Sequence, residues 1–282
     1  MTRLIYIWGI VIITLLAGGE TASLHARRAA PEVSVLTYNI YGYKKISDRR
    51  VDALVSILRY SKADIIALQE VNSWFVNRLR REKWVKKFYH TVEVPRGRAP
   101  EGKLFTLSRF PIAGTTYHQL PTKSNHGALI TYVKLGKRLI PVVNIHLESP
   151  LHEKDLRAEQ LKTVFGQLKD QGGVNGAIVL GDFNFGDNAF TELDCMDSSF
   201  VDLWIYCNPE SLRYTWDMHN NPLAIRNAYP GESSRRLDRI LVHGNSWKVL
   251  SAGLIGDFPL SYGRRVIFPS DHYGVMGTIT LR

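Results

Sequence analysis

The amino-acid sequence predicts a layered α/β fold in which sheets are flanked by helices, and three observations carry that expectation. Short apolar, β-branched runs recur along the chain, and helical periodicities are interspersed between them. No Gly/Ser tract, proline run, like-charge block or fixed-period repeat interrupts the chain, so residues 31–282 read as one domain.

Taken in order, Val33 to Ile40 suits a strand buried on both faces, and so does Ile65 to Leu68. Between them Ser47 or Asp48 can cap a helix whose Val51, Leu54, Val55 and Leu58 share one face. A second helix is predicted from about Ser73 to Lys87. Leu104 to Ser108, Ala128 to Leu135 and Leu139 to His146 follow as strands, the last two joined by a hairpin at Gly136-Lys137. Leu156 to Leu168 is a third amphipathic helix, with Leu161, Val164, Phe165 and Leu168 on one face. The remaining strands are Ala177 to Leu180, Leu237 to Val242, Trp247 to Leu254 and Tyr273 to Leu281.

The 282 residues contain 36 Lys and Arg against 26 Asp and Glu, a formal net charge of +10. That balance favours an anionic partner, nucleic acid or an acidic membrane surface, and equally suits plain solubility. The N-terminus opens with Arg3 and an apolar stretch from Leu4 to Ala17, shorter than the ~20 residues a spanning helix needs. Residues 1–26 therefore read as a signal peptide for a secreted or periplasmic protein, or as an uncleaved anchor giving membrane association. Cys195 and Cys207 leave two readings open, one small-loop disulfide or two unpaired thiols, and neither has zinc-site spacing.

The polar residues matter most where they fall. Asn39, Glu70, His146, Asp182, Asn184, Asp238, Asp271 and His272 each lie at or near one end of an apolar strand. A layered fold gathers strand ends on one rim. Hydrolysis of a phosphate ester requires oxygen ligands for Mg²⁺ or Mn²⁺, a carboxylate to position water, donors for the non-bridging oxygens and help for the leaving oxygen. Glu70 is the natural metal ligand, and Asp182 can orient or deprotonate water. Asn39, Asn184 and His146 can donate to phosphate, and His272 can be held protonated by Asp238. Any one of these has a plain structural reading, an Asx turn at Asp182 for example. Their joint placement carries the functional one.

These residues fall in the blocks Leu36-Thr37-Tyr38-Asn39-Ile40, Leu68-Gln69-Glu70-Val71, Asn144 to Ser149, Gly181-Asp182-Phe183-Asn184, Arg236 to Ile240 and Ser270-Asp271-His272. In them the chain resembles the endonuclease/exonuclease/phosphatase (DNase-like) superfamily. The resemblance implies a four-layered α/β sandwich, two central mixed sheets flanked by helices, and Mg²⁺-assisted in-line attack of water on phosphorus. It further implies that Glu70 holds the metal with help from Asn39 and Asp271, that Asn184 and His146 bind phosphate, and that Asp238 orients His272. His146-Leu147-Glu148-Ser149, Arg157 to Leu161 and Tyr214-Thr215-Trp216-Asp217 are similar to the tyrosyl-DNA phosphodiesterase 2 branch, which cleaves 5′-phosphotyrosyl bonds. Ser149 would then belong to the phosphate pocket and Trp216 to a DNA-end groove.

The chain departs from that branch after Asn184, where Phe185-Gly186-Asp187 stands in place of a Leu-Arg-Asp continuation. Arg109, Arg213 or Arg226 is expected to supply the missing charge. Residues 95–103, with Arg96, Arg98 and Lys103, and the aromatic and arginine-bearing residues 204–236 are expected to touch DNA by backbone contact and stacking. The competing substrate is a lipid or inositol phosphate handled by a secreted enzyme, and a binding protein that has lost activity is the reading from another class. A monomer with no obligate protein partner is expected.

Overall fold

The computed structural model describes residues 31–42, 47–94, 103–170, 172, 175–211, 213–262 and 265–282. The expected signal or anchor segment, and residues 95–102 of the expected substrate loop, lie outside them.

Strand β1 (Glu32–Asn39) leads through helix α1 (Asp48–Ser61) to β2 (Ile65–Val71), the strand, helix, strand unit expected. Ser47 caps α1, its side chain accepting from the Arg50 amide. Two helices then follow, α2 (Ser73–Arg81) and α3 (Lys83–Phe88), rather than the single one expected. Glu82 adopts an extended backbone and its amide returns to Leu79 O, closing α2 and re-aiming the chain so that Val85 joins Val76 and Leu79 in the core. Strands β3 (His90–Glu93), β4 (Lys103–Ser108), β5 (Ile112–Gln119), β6 (Gly127–Leu135) and β7 (Arg138–His146) precede α4 (Lys154–Asp170) and β8 (Ile178–Asp182). After α5 (Phe190–Leu193), β9 (Phe200–Asp202), α6 (Leu203–Cys207) and α7 (Pro222–Asn227) come β10 (Asp238–His243), β11 (Trp247–Ile255), β12 (Leu260–Tyr262), β13 (Arg265–Ile267) and β14 (Gly274–Leu281).

Two six-stranded mixed sheets result, in the orders β11-β14-β1-β2-β4-β3 and β5-β6-β7-β8-β10-β9. In the first β1 runs parallel to β2, and in the second β7 runs parallel to β8. Strand alternation decides the layers. Val33, Val35, Ile65 and Ala67 face Val142, Ile178, Leu180 and Ile240 between the sheets. Leu36, Tyr38, Ile66 and Leu68 pack outward against α1, α2 and α3, while Ile145 and Val179 pack outward against Leu161, Val164 and Phe165 of α4. This is the four-layered α/β sandwich expected from the sequence.

The expected strands all form, and three of those the sequence did not signal are explained by position. β3, β5 and β9 are edge strands, and β5 is largely exposed, so neither face needs a continuous apolar run. Within the sandwich the polar pair Gln69 and Asn144 tie one sheet to the other: Gln69 Nε2 donates to Asn144 Oδ1 at 2.8 Å, and Asn144 Nδ2 donates to the Leu68 and Phe105 carbonyls. The bonds sit next to Glu70 and His146, and they hold the two sheets in register where the polar residues converge. Cys195 and Cys207 are both free thiols.

Candidate active site

β1, β2, β7 and β8 end at one pole of the sandwich, and β10 begins there. Register makes the convergence explicit: Asn39 lies opposite Gln69, His146 opposite Asp182, and Asp182 opposite Asp238. The backbone is bent to present these residues. Glu70, Asn184 and Tyr41 have φ of 54°, 56° and 50°, left-handed conformations rare for residues other than glycine and concentrated at functional sites. Gly181 must be glycine, because a Cβ there would lie 2.0 Å from Ile145 O on the parallel neighbour. Gly42 is equally constrained, a Cβ falling 1.9 Å from Glu70 O.

Asp182 is the centre of the constellation. Its Oδ2 accepts from Asn39 Nδ2 at 2.9 Å and lies 3.6 Å from His146 Nε2 and 3.7 Å from His272 Nε2. Its Oδ1 accepts from the Asn184 amide at 2.9 Å. His272 Nδ1 sits 2.8 Å from Asp238 Oδ2, and Thr215 Oγ1 accepts the Asp238 amide at 3.0 Å. Burial disfavours the charged imidazole of His272, but Asp238 and Asp182 outweigh it and hold the ring's pKa well above 6.5. Asp182 is likewise disfavoured by burial, yet His272 and His146 hold it below the usual carboxylate range. His146 has no such anchor: burial and neighbouring His126 push it down to about 3, leaving a neutral ring.

A second group faces this one. Asn39 Nδ2 also donates to Glu70 Oε1 at 3.0 Å, while Asn227 Nδ2 donates to Asp271 Oδ2 at 2.8 Å. Burial first, and the charge of Asp271 second, push the Glu70 carboxyl up to about 8. Two acids with surplus negative charge, one of them resisting ionisation, form a donor set that fits a hard divalent cation. Asp182, Asp238 and His272 also place ligand-type atoms within 4.8 Å of one another. In that trio a protonated imidazole already stands between the two carboxylates and has no lone pair to give, so Glu70 and Asp271 are the better oxygen donors.

Glu70, His146, Asp182, Asn184, Asp271, His272, Ser149 and Trp216 all line one cleft of about 390 Å³. Asn39 and Asp238 are fully buried beneath it. Trp216 packs edge-on to His272, with ring centroids 5.1 Å apart. Ser149 is positioned from behind by buried Arg157, which donates to the carbonyls of Glu148, Pro150 and Leu151 and pairs with Glu192 at 2.8 Å.

The arginines expected at the site are elsewhere. Arg109 follows β4 at the opposite pole, where its amide bonds to Asp64 O and its guanidinium contacts Tyr89. Arg213 pairs with Asp257 beside a separate depression lined by Tyr214, Asp217 and Tyr273. Arg226 is exposed on α7 and does not line the cleft. Arg235 is held by Glu232, and Arg236 and Arg239 are buried against Asp187 and Asp202, so the loop's guanidiniums are spent on structure. Trp204 is likewise core. Tyr229 of the expected 204–236 loop does line the cleft, but sequence reasoning missed Tyr41, Ser124, His126, Asn227 and Glu232. They stand on loops or a short helix with no periodicity to mark them.

Fold and site together define an enzyme that hydrolyses phosphate diesters. The chain belongs to the Endonuclease/Exonuclease/phosphatase family, whose model matches residues 36–272. It is 28% identical over 255 residues to tyrosyl-DNA phosphodiesterase 2 of Rattus norvegicus, covering 88% of this chain and 67% of that protein. A putative neutral sphingomyelinase of Drosophila melanogaster is 25% identical over 279 residues, covering 89% and 61%. The chain thus spans about two thirds of the length of the curated relatives it matches. Among solved structures, D. rerio tyrosyl-DNA phosphodiesterase 2 complexed with a single-strand DNA product superposes with a TM-score of 0.74 at 24% identity, covering 88% of this chain and 99% of that one.

These relatives correct one expectation. Export or membrane anchoring is not supported, because the tyrosyl-DNA phosphodiesterase relatives are intracellular enzymes. No helix among the described residues is long and apolar enough to cross a membrane.

Proposed function

We propose that this chain is a Mg²⁺-dependent phosphodiesterase acting on DNA, with 5′-phosphotyrosyl or otherwise blocked 5′ ends as its substrates and Mn²⁺ able to substitute. The observation that supports this reading best is Asp182, buried and ringed by Asn39, His146 and His272, directly across the cleft floor from Glu70 and Asp271.

Glu70 would hold the cation with Asp271. Asn39 serves as the orienting amide between the two groups, since its oxygen is engaged by the Tyr41 amide and its nitrogen bridges Glu70 and Asp182. When bound, the cation draws charge from a phosphate oxygen and so lowers the barrier to attack. Asp182, kept ionised, accepts a proton from the attacking water and aligns it. Asn184, His146 and Ser149 donate to non-bridging oxygens, and protonated His272 stabilises the negative charge that develops. Asp238 fixes the His272 ring and its protonation. The exposed face of Tyr229 on the cleft rim suits stacking of a terminal base, at about 1–3 kcal/mol per base, while Trp216 is buried edge-on to His272 and shapes the wall.

The test is hydrolysis of a 5′-phosphotyrosyl oligonucleotide beside plasmid, single-stranded DNA, RNA, sphingomyelin and phosphoinositide, each with and without EDTA. Release of tyrosine from the oligonucleotide, lost in EDTA and restored by Mg²⁺, is the expected result. Turnover of the lipids alone would overturn the DNA reading, and turnover unaffected by EDTA would overturn the metal.

A further inference from the structure

The cleft has an electrostatic peculiarity: among the described residues, no lysine or arginine side chain lines it. A phosphodiester bound there must be met by His272, by a cation and by neutral donors. One such donor is built into the wall with unusual care and has no role in the chemistry above.

His126 is 6% exposed, lines the cleft and packs edge-to-face on His146, with ring centroids 4.4 Å apart. Among the described residues, neither of its ring nitrogens has a hydrogen-bond partner. The turn that carries it is wrapped round a buried carboxylate. Glu148 accepts from Thr122 Oγ1 at 2.7 Å, the Lys123 amide at 3.1 Å and Ser124 Oγ at 2.5 Å. Thr122 Oγ1 in turn accepts the amides of Ser124 and His126, at 3.0 and 3.1 Å. Asn125 takes a left-handed φ of 61°, and a Cβ on Gly127 would strike the Tyr117 ring at 2.3 to 2.6 Å. The two residues flanking His126 are thus constrained so that the ring faces the cleft. The Ser124 hydroxyl proton is committed to Glu148, which leaves the imidazole as the free side-chain donor that this turn presents to the cleft.

We propose that His126 is a substrate-phosphate contact, donating an N–H to a non-bridging oxygen beside His146 and Ser149. It rests on the reading of the cleft as a phosphodiester-hydrolysing site. Burial lowers the pKa of His126 below 6.5, so the donor is a neutral imidazole. The ring nitrogens are not sealed in the core but open to the cleft, where a phosphate oxygen can accept the N–H.

The experiment compares His126→Phe, which keeps the ring packing, His126→Gln, which keeps an N–H, and His272→Ala with the unaltered chain. Readouts are kcat and KM on bis(p-nitrophenyl) phosphate with Mg²⁺, inhibition by inorganic phosphate, Mg²⁺ half-saturation and Tm. His126→Phe should lower kcat/KM at least tenfold and weaken phosphate inhibition, at unchanged Tm and Mg²⁺ half-saturation, and His126→Gln should recover most of the loss. Unchanged kcat/KM and phosphate inhibition in His126→Phe, alongside a dead His272→Ala, would overturn this inference alone. Failure of the unaltered chain to hydrolyse any diester would instead overturn the functional reading. Calorimetric titration of inorganic phosphate into the unaltered and His126→Phe chains then decides the contact on its own, with equal affinities overturning it.

Discussion

His272 Nδ1 lies 2.8 Å from Asp238 Oδ2 while its Nε2 reaches to 3.7 Å from Asp182 Oδ2, so one imidazole bridges two buried carboxylates on neighbouring strands. The bridge explains why Asp182 and Asp238, directly opposite each other in the β8–β10 ladder, tolerate their proximity. It also sets how the site responds to pH and mutation.

Replacing His272 by alanine removes the positive group nearest the reacting phosphate, and replacing Asp182 by asparagine removes the proton acceptor. Each should lower kcat by roughly 10² to 10⁴. Circular dichroism should show both variants folded, and full turnover in either would defeat the assignment.

The raised pKa of His272 and the lowered one of Asp182 define the pH profile of kcat. The active form carries ionised Asp182 and protonated His272, so activity falls on the acid side as Asp182 gains its proton and on the alkaline side as His272 loses its own. Asp238→Asn removes the largest charge holding the His272 proton, and should move the alkaline limb to lower pH. In stability the sign is the same: the contribution from protonated His272 is full below its ordinary 6.5 and is lost as pH rises through the raised folded value. An alkaline limb unmoved by Asp238→Asn would contradict the pairing.

Glu70, pushed up to about 8, holds a proton at neutral pH until a cation displaces it. Binding of Mg²⁺ should therefore release protons at pH 7, read calorimetrically as a heat that depends on the buffer's ionisation enthalpy, and the release should vanish well above pH 8. Glu70→Gln should abolish it.

Gly181→Ala drives a methyl into Ile145 O and forces a side chain onto a φ of 153°. Loss of roughly 3 kcal/mol or more is expected, seen as a lower Tm and urea midpoint. Gly166→Ala, in α4 with nothing within 4 Å and no left-handed φ, is the mild comparison.

Arg109→Ala tests the correction of an expectation. The residue sits at the pole away from the cleft, so kcat/KM should stay within a factor of two, and a large loss would return it to the site.

Much of this protein was legible in its sequence. The apolar runs that became β1, β2, β6, β7, β8 and β10 are buried on both faces, and burial on both faces forces unbroken hydrophobicity that can be read directly. Asn39, Glu70, His146, Asp182, Asn184, Asp238, Asp271 and His272 stood out because a polar residue ending such a run is conspicuous. Edge strands β3, β5 and β9 need no such run and left no signal.

The sequence by itself therefore determined the layered fold and marked the polar residues that gather at one pole of it. Only the tertiary structure decided the electrostatics around them. A guanidinium reads the same in sequence whether it meets a substrate phosphate or a buried Asp202, and strand pairing and loop packing placed Arg236 and Arg239 inward, Arg213 on Asp257, and Arg109 at the far pole. The same packing turned His126, which lies in a loop without periodicity, into part of the cleft wall, because the Glu148 carboxylate lies beneath that turn and organises it.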